Sequence, residues 1–136
     1  MDQKRTLLAL HLTGVVGPRR LKAARAAFPD LSDLFGTTEE ALSELPDWTP
    51  SCARKVLGTG DGERSSAVER ELEEARVQGI EVLLEEDTDY PGPFRDLYDP
   101  PFVLWRWGEA READVKAIAV IGCRKPSPYG QQAAFR

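Results

Sequence analysis

Five consecutive apolar residues near the end of the chain, Ala117-Ile118-Ala119-Val120-Ile121, allow few folds. The run lacks polar alternation and is rich in β-branched residues, the pattern of a strand covered on both faces. Gly122 interrupts it. Ser127 suits a helix N-cap, and Pro128 suits the first helical position, where its missing N–H leaves no intrahelical bond unmade. The segment reads as central strand, tight loop and helix. Such a loop turns backbone N–H groups and the positive end of a helix dipole toward one point, and Arg124 and Lys125 add two cations beside it. Gly122, Arg124, Lys125 and Ser127 are therefore candidate phosphate contacts. Strand-loop-helix units occur throughout α/β proteins, so an ordinary turn stays open on spacing alone.

The net charge of −5 disfavours a polyanionic partner as a whole-molecule property, but its distribution is uneven. Residues 1–28 carry six Lys/Arg (Lys4, Arg5, Arg19, Arg20, Lys22, Arg25) against one acid, Asp2. Residues 116–136 carry four against none, and the intervening stretch holds 22 acids against eight bases. A polyanion is expected to meet the two ends of the chain and be repelled from its middle. Arg19, Arg20 and Lys22 are candidate secondary contacts; a plain solvated helix face is the alternative for them.

The first 60 residues read as short helices. Gln3 to Leu12 places Leu7, Leu8 and Leu12 on one side and ends at Gly14. Gly17-Pro18 opens a second helix whose Leu21, Ala24 and Phe28 share a face, making a helical hairpin. A short helix spans Leu31 to Phe35, Thr37-Thr38-Glu39-Glu40 has capping-box spacing, and Thr49-Pro50 opens a helix to about Leu57. Three glycines in Gly58–Gly62 place a domain boundary there, and a unit of about 60 residues is small enough to lean on the remainder of the chain. Glu63 to Gln78 is a charged helix burying Val68, Leu72 and Ala75, with its charges on a solvated face. Ile80 to Leu84 and Phe102 to Trp107 are strands separated by an acidic loop, Tyr90-Pro91-Gly92-Pro93 and Pro100-Pro101. Trp105 and Trp107 are expected in the core, though indoles beside bases also stack on nucleic acid bases.

Two cysteines and a single histidine, His11, supply neither a metal cluster nor a disulfide framework, and His11 is expected as a packed or surface residue. No apolar run approaches the roughly 20 residues that span a bilayer, and a signal-peptide pattern is absent, so a cytoplasmic chain with no membrane partner is expected.

Val120-Ile121-Gly122-Cys123-Arg124-Lys125-Pro126-Ser127-Pro128-Tyr129-Gly130 resembles the Gly-Ser/Thr-Arg loop of the DNA-processing protein A family (DprA, also called Smf). Asp89-Tyr90-Pro91, Leu97, Asp99-Pro100-Pro101, Val103-Leu104 and Gly108 follow the same family's order. Leu12-Thr13-Gly14-Val15-Val16-Gly17 resembles the turn of helix-hairpin-helix and sterile-alpha-motif-like modules, with two valines where those hairpins usually have one residue. The resemblance implies an α/β chain: a SAM-like helical domain at 1–60, then the start of an extended Rossmann-like domain at 61–136, truncated before its second half and any winged helix. A fragment or shortened gene product is expected. It also implies a non-enzymatic mediator that binds single-stranded DNA through Gly122, Arg124, Lys125 and Ser127 and loads the RecA recombinase in natural transformation, without cofactor. Cys123 stands where the family has a hydroxyl, and a thiol is a weak phosphate donor. A homodimer is compatible with this, although the family's dimer surface is expected to be missing.

Two other classes compete. A Rossmann-type enzyme on nucleotides would show Gly-x-Gly-x-x-Gly or Pro-Gly-Gly-x-Gly-Thr, and neither stands in this chain. A protein-interaction module would use the acidic middle against a basic partner.

Overall fold

The computed structural model describes residues 2–109, 111 and 125–134. The expected central strand 117–121, with Gly122 and Arg124, lies outside them. Helices α1 (Gln3–Leu12), α2 (Pro18–Ala27), α3 (Glu39–Ser43), α4 (Pro50–Leu57) and α5 (Asp61–Val77) come first, with a 3-10 turn at Leu31–Gly36. Strand β1 (Ile80–Leu84), the one-turn α6 (Gly92–Arg95), strand β2 (Val103–Trp107) and helix α7 (Pro128–Ala134) complete the order. The described residues are thus mixed helix with a small antiparallel sheet, β1 against β2, compatible with an α/β class.

Local chemistry fixes the helix ends. The Asp2 side chain accepts from the Arg5 N–H, and Thr49 from the Cys52 N–H, each satisfying a donor of the first turn. At the end of α1 the chain reverses through Gly14 at φ 70°, where a side chain would be strained. One cap differs from expectation: Thr38, not Thr37, accepts from the Ala41 N–H. That shift puts alanine at the third helical position and removes the reciprocal Glu40 contact of a capping box.

α1 is buried around most of its circumference. Thr6, Leu7, Leu8, Ala9 and Leu10 are all buried because α5, the 3-10 turn and β2 each pack on it. Leu12, expected on the buried side, is partly exposed, since the packed stretch ends at Leu10. Leu21, Ala24, Leu34, Leu42, Trp48, Ala53 and Val56 belong to the same apolar cluster as Val68, Ala75, Val82, Leu84 and Phe102. The cluster therefore continues from the helices across Gly58–Gly62 to the sheet.

The register pairs Ile80 with Trp107, Val82 with Trp105 and Leu84 with Val103 on the face toward that cluster. Burial falls off along this row. Val103 is buried, Trp105 is only partly covered and Trp107 is 83% exposed. The expectation of two core tryptophans is thus corrected: Ile80 packs on the edge of the cluster, and Trp107 across from it is left outside. Arg106 pairs with Glu81 on the other face and donates to the Asp89 carbonyl. The 85–102 connection is tied down further by the Tyr90 hydroxyl, which donates to the Pro101 carbonyl at 2.5 Å. Burial pushes that phenol's pKa up.

Arg64 corrects the picture of a uniformly solvated charged face on α5. It is 6% exposed. Its guanidinium lies 3.7 Å from the Phe35 ring centroid and donates to the Thr59 carbonyl at 2.8 Å and to Asp61 at 2.9 Å. A planar, weakly hydrated cation can stack on an aromatic face where an ammonium would resist desolvation.

Leu8→Ala is expected to cost about 2–5 kcal/mol, as deletion of a fully buried leucine does, whereas Leu12→Ala at its exposed position is expected to cost under ~1 kcal/mol. Urea unfolding of both variants reads the difference as a midpoint shift at constant slope.

Candidate nucleic-acid interface

Two groups of predicted contacts can be placed. Lys125 and Ser127 stand ahead of α7, and both are exposed. Ser127 is the N-cap: its Oγ accepts from the Gly130 N–H at 3.2 Å and its carbonyl from the Gln131 N–H at 3.0 Å, with Pro128 at the first helical position. Accepting the cap bond leaves the hydroxyl proton able to donate to an oxyanion, because a hydroxyl has one donor and two lone pairs. Tyr129, 81% exposed, comes two residues later.

The second group sits on α2. Arg20 is committed to the fold: its Nη1 donates to the Val15 carbonyl at 2.6 Å and its Nε to the Asp47 carbonyl at 2.7 Å. Asp47 is a non-glycine residue at φ 65°, and the Trp48 indole N–H returns a bond to the Arg20 carbonyl at 3.1 Å. Arg20 therefore locks the 46–48 turn onto the hairpin. Arg19 projects outward, with Asp99 at 3.3 Å and the Tyr98 ring centroid at 5.8 Å, and Asp99 foremost raises its pKa. Lys22 is exposed on the same helix.

Sequence reasoning set the basic start of the chain against its acidic middle as regions to be met or avoided by a polyanion. The structure brings them into contact. Arg5 reaches Glu69 at 2.7 Å, and Arg25 reaches Glu86 at 2.6 Å and Glu85 at 3.5 Å. Gln3 donates to Glu86 at 2.5 Å, and the Lys4 ammonium donates to the Val82 carbonyl at 2.7 Å. Each exposed pair is worth about 0–1 kcal/mol, so their main effect is orientation of α1 and α2 against α5, β1 and the loop after β1. The segregation of charge was the signal; its internal pairing was the unread consequence.

Among the described residues no group of three His, Cys, Asp or Glu is placed to hold a metal, and no helix is long and apolar enough to cross a membrane. Cys52 is a buried free thiol whose pKa burial raises, and Cys123 lies outside the described residues.

With this geometry in hand, comparison with known proteins gives a partial match. Residues 81–136 match the family model described as DNA recombination-mediator protein A. Those residues are a DprA-family segment. The DNA processing protein DprA of Bacillus subtilis (strain 168) is 34% identical over 64 residues, covering 46% of this chain and 22% of that protein. The chain thus matches about a fifth of the length of this curated relative. No solved structure matches it. The DprA-family segment includes β2 and Lys125 and Ser127, and it leaves the α2 cations outside.

A histidine also joins the helices to the DprA-family segment. The His11 ring on α1 lies 5.6 Å from Phe102 and 4.9 Å from Trp105, centroid to centroid. Desolvation there lowers its pKa below 6.5, with the Glu71 carboxylate opposing the shift. The unfolded chain then binds a proton more readily than the folded one, so this residue's contribution is complete above pH 6.5 and is lost as pH falls through the lowered folded value. As the chain has one histidine, melting temperature is expected to drop between about pH 7 and pH 5.5, and His11→Phe to flatten that slope.

Proposed function

We propose that this chain is part of a single-stranded-DNA-binding recombination mediator of the DprA type. The family match over residues 81–136 carries the reading, because it spans the loop whose residue types independently suit a phosphate site. In this proposal Gly122 lets the backbone approach the strand, Arg124 and Lys125 neutralise phosphates, and Ser127 donates its hydroxyl proton. Arg19, Arg20 and Lys22 are secondary contacts, Arg20 through its positive field, since part of its guanidinium is held by the 46–48 turn. Phosphate contacts dominate, so affinity falls with salt and sequence preference is weak.

The finer elements belong to the same proposal: a SAM-like unit at 1–60, the beginning of a Rossmann-like unit at 61–136, a cytoplasmic setting in natural transformation, and RecA as protein partner by family resemblance. Binding and protection of a strand require no bond to be made or broken, so the reading invokes no catalytic residue and no cofactor.

Fluorescence anisotropy of a labelled single-stranded oligonucleotide at low salt tests it. The expected result is saturable, salt-sensitive binding that prefers the single strand to duplex and weakens about tenfold or more in Arg124→Glu. Binding indifferent to Arg124→Glu and Lys125→Glu would contradict the loop assignment.

A further inference from the structure

We propose that the cleft between α2 and the Tyr98–Phe102 segment is a second single-stranded-DNA contact, whose phosphate positions the free chain fills with its own carboxylates Glu85 and Asp99. The proposal rests on the single-strand-binding reading above and extends its α2 contacts to a cleft, with a stacking face and a competing set of acids. The cleft has a volume of about 820 Å3, with Arg19, Lys22 and Arg25 on the α2 side. These cations are three residues apart, so they succeed one another at roughly 4.5 Å along the helix axis, a row suited to a polyanionic chain. On the opposite side Tyr98 is 87% exposed, with the Arg19 guanidinium 5.8 Å from its ring. An exposed aromatic face beside a row of cations provides base stacking together with phosphate neutralisation, the combination by which single strands are held without sequence readout.

The carboxylates sit where phosphates would. Asp99 lies 3.3 Å from Arg19 and Glu85 lies 3.5 Å from Arg25, which Glu86 also meets at 2.6 Å from outside the cleft. Among the described residues Lys22 makes no hydrogen bond or ion pair. Asp47 adds a third acid at the rim. The cleft is therefore close to neutral in the free chain and attracts DNA weakly. The ion pairs are exposed or half-exposed, and such pairs give way readily to a polyanion that releases counterions on binding. The arrangement makes the acidic loop after β1 a competitor for the cleft.

The test is oligonucleotide anisotropy with the whole chain. Combining Glu85→Gln and Asp99→Asn is expected to tighten single-strand binding about tenfold at low salt, by removing like-charge repulsion. Adding Tyr98→Ala and Lys22→Glu is expected to abolish the gain. Both residues are exposed, so these changes spare the fold. Adding Arg124→Glu instead separates the two sites: the gain persists if the cleft binds by itself, whether or not the loop contributes. A neutralised variant that melts cooperatively yet gains nothing overturns the proposal, as does a gain that survives Tyr98→Ala and Lys22→Glu. Should the neutralised variant fail to fold, Tyr98→Ala and Lys22→Glu in the otherwise unchanged chain provide the reading. Weakening of about threefold or more supports the cleft, and unchanged affinity rejects it.

Discussion

The near-complete burial of α1 is the constraint on which the rest of the structure depends. Leu7, Leu8 and Leu10 project to different sides of one short helix and are all fully buried, so no single neighbour can cover them. α5, the 3-10 turn and the second strand must close around it together. This explains why so small a set of helices is joined to the sheet by one continuous apolar cluster. Helices as few and short as these bury too little surface to be comfortable alone, and Val82 and Leu84 of β1, Phe102 just before β2 and Val103 complete the core.

Charge follows the same architecture at the surface. The helical hairpin is basic, α5 and the segment around β1 are acidic, and their apposition is stabilised by pairs such as Arg5 with Glu69 on α5 and Arg25 with Glu86 after β1. A network of this kind adds less stability than the apolar cluster does, but it fixes how α2 lies over the loop after β1. It also decides how a DNA strand would see the molecule. Cations that look available in the primary structure are already faced by carboxylates, so electrostatic attraction depends on how readily those pairs open.

Much of this was legible in the amino-acid order. The ends of α1, the Pro18 and Pro50 helix starts, the β1 strand and the Ser127-Pro128 start of α7 are local events, governed by capping chemistry and periodicity within a few residues. What escaped was long-range. Trp107 carries the composition of a core residue, and only the register against Ile80 places it beyond the cluster. Arg64 carries the composition of a surface residue, and only the arrival of Phe35 from another turn makes its burial tolerable. Arg20 looked like one cation among several until Val15 and Asp47 offered it carbonyls. For the site, the loop's residue types were readable and the family match covers them, while the pairing of Arg19 and Arg25 with distant acids had no local signature.

Native-state hydrogen exchange across a denaturant series tests most directly whether α1 unites helices and sheet. The account predicts that amides of Leu8–Leu10 in α1 and Val82–Leu84 in β1 open with the same free energy and the same denaturant slope, as members of one cooperative unit. Sheet amides that exchange through a separate, lower-energy opening while α1 stays protected would contradict it.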